Sequence, residues 1–275
     1  MSNNSINANT SALLALQGLN QTTTDLQAVQ TRVSTGLDIA AAKDNAGTWG
    51  IATDQRSAIS SLDPVKASLN RAQSSLDVAL SAGQTVSDLL NQIRSKTLAG
   101  TDTSLDTASR NVLSNDVQSL IKQITLTVTN SDFNGVNLVK TGGTILSTLT
   151  DADTSVLTVQ PRSLAVGGAN IPFTVGSTFS TATQATALLA LVDNAIPSVN
   201  RTVGQFAADS KAVSSHLDFV STFQDTLTLT VGNLVDADVA KESAALTALQ
   251  VKQQLGVQTL SIANSSRDVL LSLFK

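Results

Sequence analysis

A stripe of apolar residues at alternating spacings of four and three runs along both ends of this chain. Such a stripe makes a helix sticky along one edge and obliges it to find a partner helix. At the front the line is Ala12, Leu16, Leu19, Thr23, Leu26, Gln30, Val33 and Leu37, with Leu13 beside it. At the back it is Val235, Val239, Glu242, Leu246, Leu249, Gln253, Gly256, Leu260, Ala263, Arg267, Leu270 and Phe274. Chain ends are usually where order fades. Here they are built for pairing, and the natural partner of each end is the other.

Further inward the same rhythm returns in two longer stretches. Leu62, Val65, Leu69, Ala72, Leu76, Ala79, Gly83, Val86, Leu90, Ile93 and Thr97 predict a helix over 57–99 that stops at Gly100. Ile196, Val199, Val203, Phe206, Ser210, Val213, Leu217, Val220, Gln224, Leu227, Val231 and Leu234 predict its counterpart from about 182. A shorter helix is expected over 105–129 with Leu113, Val117, Leu120 and Ile124 on one face, although the β-branched run 124–128 also suits a strand. Between 143 and 181 lie short β-rich runs, 145–149, 156–159 and 173–175, separated by glycine and aspartate turns.

The expected fold is therefore mainly α: a long antiparallel helical bundle with a small β-hairpin insertion and a terminal N/C coiled coil. The divisions are 1–37 with 238–275 as the terminal coiled coil, 38–56 as a connecting spoke, 57–142 with 182–237 as the bundle, and 143–181 as a surface insertion. Composition agrees, since a chain with 3% aromatics and no Cys or Tyr must build its core from aliphatics. With no partner but each other, the two terminal helices are expected to be largely disordered in the free monomer and to fold on assembly.

Little in the chain points to chemistry. Cys is absent and His216 stands alone, which removes thiolate sites and leaves no second histidine for a metal. No phosphate loop, dinucleotide fingerprint or nucleophile elbow occurs. The pairs Asp151/Asp153 and Asp236/Asp238 lack the companions of a calcium loop or an acid/base pair, so turn and cap roles are expected. The net charge of −4 offers no basic stripe for nucleic acid, and no apolar run is long enough for membrane insertion. No basic and apolar leader opens the sequence, so export by a route without a cleaved signal peptide is expected if the protein leaves the cell. No cofactor and no enzymatic activity are expected.

The motifs at both ends resemble those of bacterial flagellin. They are Ser5–Asn9, Leu19-Asn20, Arg32–Ile39 with Ala42–Ala46, Phe133-Asn134-Gly135-Val136, Gly232–Asp238 with Ala240–Ser243, Gln253–Gly256, Ala263-Asn264 and Leu270–Lys275. The resemblance covers nearly the whole chain except the β insertion. It implies a subunit that polymerises with itself into an extracellular flagellar filament for swimming motility. It also implies the flagellar type III export apparatus, a flagellin chaperone, and junction and cap proteins as partners. The large outer domains of longer flagellins are missing, and Ser87–Arg94 stands where some members carry an arginine-rich helix. A hook-filament junction protein and a flagellin-like surface protein that binds polysaccharide are the alternatives. The latter is the poorer fit, because Phe133, Phe173 and Phe179 are the only aromatics of 131–181.

Leu13, Leu16, Leu19, Leu26, Val33, Leu37, Leu246, Leu249, Leu260, Leu270 and Phe274 are the expected assembly residues. Lys43, Glu242 and Arg267 are the expected registry charges, since a charge in an apolar line penalises slipped alignments. An antiparallel register in which paired position numbers total roughly 285 sets Glu242 near Lys43. The simpler alternative is that these side chains reach water. Gly256 in the second line is expected to mark a close helix approach in the assembled filament.

Overall fold

The structure, a computed structural model, describes residues 9–272 and the side chains of 9–265. Among them are five helices and one hairpin in the order α1 (Thr10–Thr35), α2 (Ala46–Gly100), α3 (Thr107–Asn130), β1 (Leu146–Leu149), β2 (Val156–Val159), α4 (Ala182–Val235) and α5 (Val239–Ser272). The chain separates into two compact units, Met1–Ser57 with Thr226–Lys275, and Ala58–Asp225.

Within the second unit α2 and α4 run antiparallel. Arg94 pairs with Asp193 at 2.6 Å, Ser87 donates to Asn200 at 2.9 Å and Gln73 donates to Ser210 at 2.7 Å. All eleven positions of the apolar line Leu62 to Thr97 are buried. They meet Ala185, Leu188, Val192, Ala195, Val199, Phe206, Val213 and Val220 of α4 in one core. At Gly83 the helices lie close together, and a Cβ there would stand 2.6 Å from Val203 Cγ2. Glycine is what lets the two backbones approach.

α3 is capped by Asp106, whose side chain accepts from Ser109 N at 2.7 Å. It stays helical through Val128, because Ile121, Ile124 and Val128 all fall on the buried stripe and packing outweighs β propensity. That stripe is Arg110, Ser114, Val117, Ile121, Ile124 and Val128, so Leu113 and Leu120 sit at its margin rather than its centre. Buried Arg110 donates to the carbonyls of Gly100, Asp102 and Leu105, gathering the turn between α2 and α3.

Beyond α3 the run Phe133–Val136 closes a tight turn in which Asn134 and Gly135 have φ of 54° and 83°. Buried Asn137 holds the next segment, donating to Val128 O at 2.8 Å and accepting from Val139 N and Lys140 N. β1 and β2 pair antiparallel with Leu146 opposite Val159. The third expected run, 173–175, is not a strand; Phe173 is instead buried as a core side chain.

The stretch 38–56, expected as a connecting spoke, is helical from Ala46 onward despite Gly47 and Gly50. Each glycine costs about 1 kcal/mol in a helix. Asn45 supplies the compensating start signal, accepting from Thr48 N at 3.2 Å. The earlier start leaves Pro64 inside α2 rather than near its first turn. The carbonyl it orphans belongs to Ser60, an exposed residue open to water.

Candidate assembly surface

Both terminal helices have clear local boundaries. Asn9 caps α1 through Ala12 N at 2.9 Å, and Gly36 ends it in the left-handed conformation at φ 72°, its N–H bonded to Arg32 O. Asp238 opens α5, accepting from Ala240 N and Lys241 N at 3.0 and 3.1 Å. Asp151 likewise accepts from Asp153 N and Ser155 N in the hairpin turn. The Ser155 hydrogen bonds hold its carboxyl below the usual carboxylate range. Asp151, Asp153 and Asp238 thus lie in turns and caps.

The two helices pack antiparallel, fastened at three levels. At the outer end Asn9 Nδ2 donates to the Ala263 carbonyl at 2.9 Å. In the middle, a Cβ on Gly256 would stand 3.2 Å from Leu19 Cδ1. The close approach expected of Gly256 in the filament is thus already made inside one subunit. At the inner end the two breaks pair as a short antiparallel bridge. Asp38 N donates to Val235 O at 2.8 Å and Ala237 N donates to Gly36 O at 2.9 Å.

Arg32 sits next to that bridge. Its Nε lies 3.2 Å from Asp38 Oδ1 and its Nη1 lies 3.7 Å from Glu242 Oε1. Glu242 therefore neighbours Arg32 and not Lys43. Lys43 lines a surface depression with Arg32, Asp38 and Asp44 and forms no ion pair among the described residues. The expected total of 285 suits the long helices, where 94 with 193 and 87 with 200 give 287. In the terminal pair 32 with 242 gives 274. The connections differ in length, 36–45 on one side and 236–238 on the other, so one register cannot hold across both. The Glu242 side chain is 13% exposed, and its Oε2 is buried without a hydrogen-bond partner among the described residues.

Coverage of the two helices is incomplete. On α1 only Thr22, Leu26 and Val29 are buried. The inward line is Ala12, Ala15, Leu19, Thr22, Leu26, Val29 and Val33, which shares every second position with the expected line. Its alternate positions are displaced by one residue. Two stripes one residue apart both fit a period of 3.6; Ala15 allows a closer approach than Leu16, and apolar Val29 is better buried than Gln30. Leu16 consequently faces outward beside Leu13, which is 67% exposed. Leu37 falls past the helix end, in the bridge with Asp236.

On α5 the partly covered residues include Glu242, Leu246, Leu249, Gln253, Gly256, Leu260 and Ala263, and no described residue is fully buried. Val251, Leu255, Val257 and Ile262 stand exposed, Ile262 at 68%. Arg267, Leu270 and Phe274 lie outside the described side chains. Among the described residues no helix is long and apolar enough to cross a membrane, and no cluster of three metal-ligating side chains occurs.

Comparison with known proteins matches this arrangement from both ends. The model of the bacterial flagellin N-terminal helical region matches residues 6–144, and that of the bacterial flagellin C-terminal helical region matches 189–274. Flagellin FljO of Caulobacter vibrioides is 47% identical over 275 residues, covering 100% of both chains. A flagellin of Brucella melitensis is 34% identical over 281 residues, covering 98% of this chain and 99% of that one. Among solved structures, a putative flagellar hook-associated protein from Vibrio parahaemolyticus superposes with a TM-score of 0.58 at 11% identity. It covers 70% of this chain and 100% of that one, a likeness of fold alone. Matched at both ends and along its full length, the chain belongs to the bacterial flagellin family.

Proposed function

We propose that this flagellin, a structural subunit of the bacterial flagellar filament, polymerises through coupled folding of its two terminal helices. The observation that carries the proposal is the half-finished burial of α1 against α5. Two fully covered aliphatic side chains, at ~1.5–3 kcal/mol each, do little against the entropy of ordering two long helices. The outward residues Leu13, Leu14 and Leu16 of α1 and Val251, Leu255, Val257 and Ile262 of α5 gain cover only from further chains. Neighbouring copies supply it: Leu13, Leu16, Leu270 and Phe274 meet those copies, while Leu19, Leu26, Val33, Leu37, Leu246, Leu249 and Leu260 close the seam between the two ends that assembly completes.

The family is a structural one, and its homologues form the extracellular filament. Within the same proposal, the subunit leaves the cell through the flagellar type III export apparatus without a cleaved signal, escorted by a chaperone that covers the terminal helices. Junction and cap proteins then bracket the growing polymer.

Deleting residues 260–275 tests the mechanism. Circular dichroism should show the helices of 58–225 retained, while sedimentation finds no polymer. Filaments from the truncated chain would refute it, as would slow amide exchange throughout α1 and α5 in dilute monomer.

A further inference from the structure

Seven phenylalanines and one tryptophan are all the aromatic side chains this chain has. Phe173, Phe179 and Phe206 are buried, whereas Phe219 and Phe223, one turn apart on α4, are 62% and 45% exposed. Their rings lie parallel, 1° between planes and 6.1 Å between centroids. His216 extends the row, its ring 5.9 Å from Phe219 and its Nε2 2.8 Å from the carbonyl of Thr150, the residue after β1. The row flanks the buried face of α4 marked by Val213 and Val220. It plays no part in pairing the terminal helices.

We propose that the Phe219–Phe223 row is a contact between neighbouring subunits, met in the filament by a second copy of this chain. The inference rests on the filament-subunit reading and adds to it a site in the bundle unit. Area identifies the occupant. Two rings exposed to this extent offer roughly 200 Å². A stable stand-alone interface needs about 800 Å² from each partner. The row cannot hold a separate protein by itself. A polymer subunit is held at several patches at once, so a small apolar contact still contributes there. In a helical polymer the rings meet a different patch on the next copy rather than their own image.

A sugar is the poorer occupant, because sugar sites add convergent polar groups to a stacking face. Here two of the polar side chains beside the rings are already engaged: His216 Nε2 lies against Thr150 O, and Thr222 Oγ1 donates to Asp218 O.

The absence of cysteine makes the test direct. Ser215→Cys and Thr222→Cys flank the rings, leave both in place, and each introduces the only thiol in the chain. Maleimide should label either thiol at least tenfold more slowly in filaments than in monomers. Phe219→Ala with Phe223→Ala should raise the critical concentration for polymerisation several-fold while the monomer's circular dichroism stays unchanged. If a cysteine variant folds but cannot polymerise, a contact at the rings is equally supported. Equal labelling rates in monomer and filament, or an unaltered critical concentration in the double variant, would overturn the proposal and leave the filament reading intact. Failure of the unaltered chain to polymerise would remove both.

Discussion

The two seams of this molecule share one rhythm and differ in how much they cover. Every position of the Leu62–Thr97 line on α2 is buried, while the corresponding line on α5 has no fully buried described member. The difference lies in the number of partners. α2 packs with α3 and α4 inside one unit, whereas α1 and α5 have chiefly each other. A period of 3.5 residues identifies the edge of a helix that wants cover. It carries no information on how many chains provide it.

The largest effect that could break this contrast comes from equal truncations in the two seams. Leu90 has no exposed surface, and Leu90→Ala should cost the monomer about 2–5 kcal/mol in denaturant unfolding. Leu249 is only partly covered, so Leu249→Ala should scarcely move the same transition. Its cost should surface on polymerisation instead, where every ~1.4 kcal/mol raises the critical concentration tenfold. Equal losses in the monomer would mean that the terminal pair is a finished core.

Glycine sharpens the comparison, because the same substitution should change sign between seams. A Cβ at Gly83 meets Val203 Cγ2 at 2.6 Å within a packed core, so Gly83→Ala should destabilise the bundle by about 1–3 kcal/mol. At Gly256 the nearest atom is the far end of Leu19, 3.2 Å away, which can yield. Gly256→Ala should therefore raise helicity and stabilise α5 by up to ~1 kcal/mol. Thermal unfolding by circular dichroism reads both.

The parts legible in the sequence were those set by short-range pattern. The α2 line, the glycine stop at Gly100, the hairpin pair 146–149 with 156–159 and the α5 line all follow from residue order. What escaped depends on choices between near-equal neighbours or on distant geometry. Ala15 displaced Leu16 because close approach favours a small side chain, a preference no hydrophobicity pattern records, and Thr22 and Val29 followed it onto the same face. Helix α2 ran back to Ala46 because the Asn45 cap together with the burial of Ala52 offset two glycines. The exposed Phe219–Phe223 row was hidden because both residues fall off the expected α4 line of Leu217, Val220 and Gln224, where a lone apolar residue carries no periodic signal.

The register of the terminal pair is the finest feature and has the smallest energetic mark. Arg32 is 39% exposed, and its 3.7 Å approach to Glu242 is longer than a hydrogen bond. Screening by water keeps such a pair to about 1 kcal/mol or less. A double-mutant cycle with Arg32→Ala and Glu242→Gln should return a coupling within that limit, and the cycle with Lys43→Ala should return none. Sites without a shared partner add, so the two cycles together read which residue Glu242 faces. A Lys43 coupling larger than that of Arg32 would mean that the 36–45 connection, and not the end of α1, carries the residue that faces Glu242.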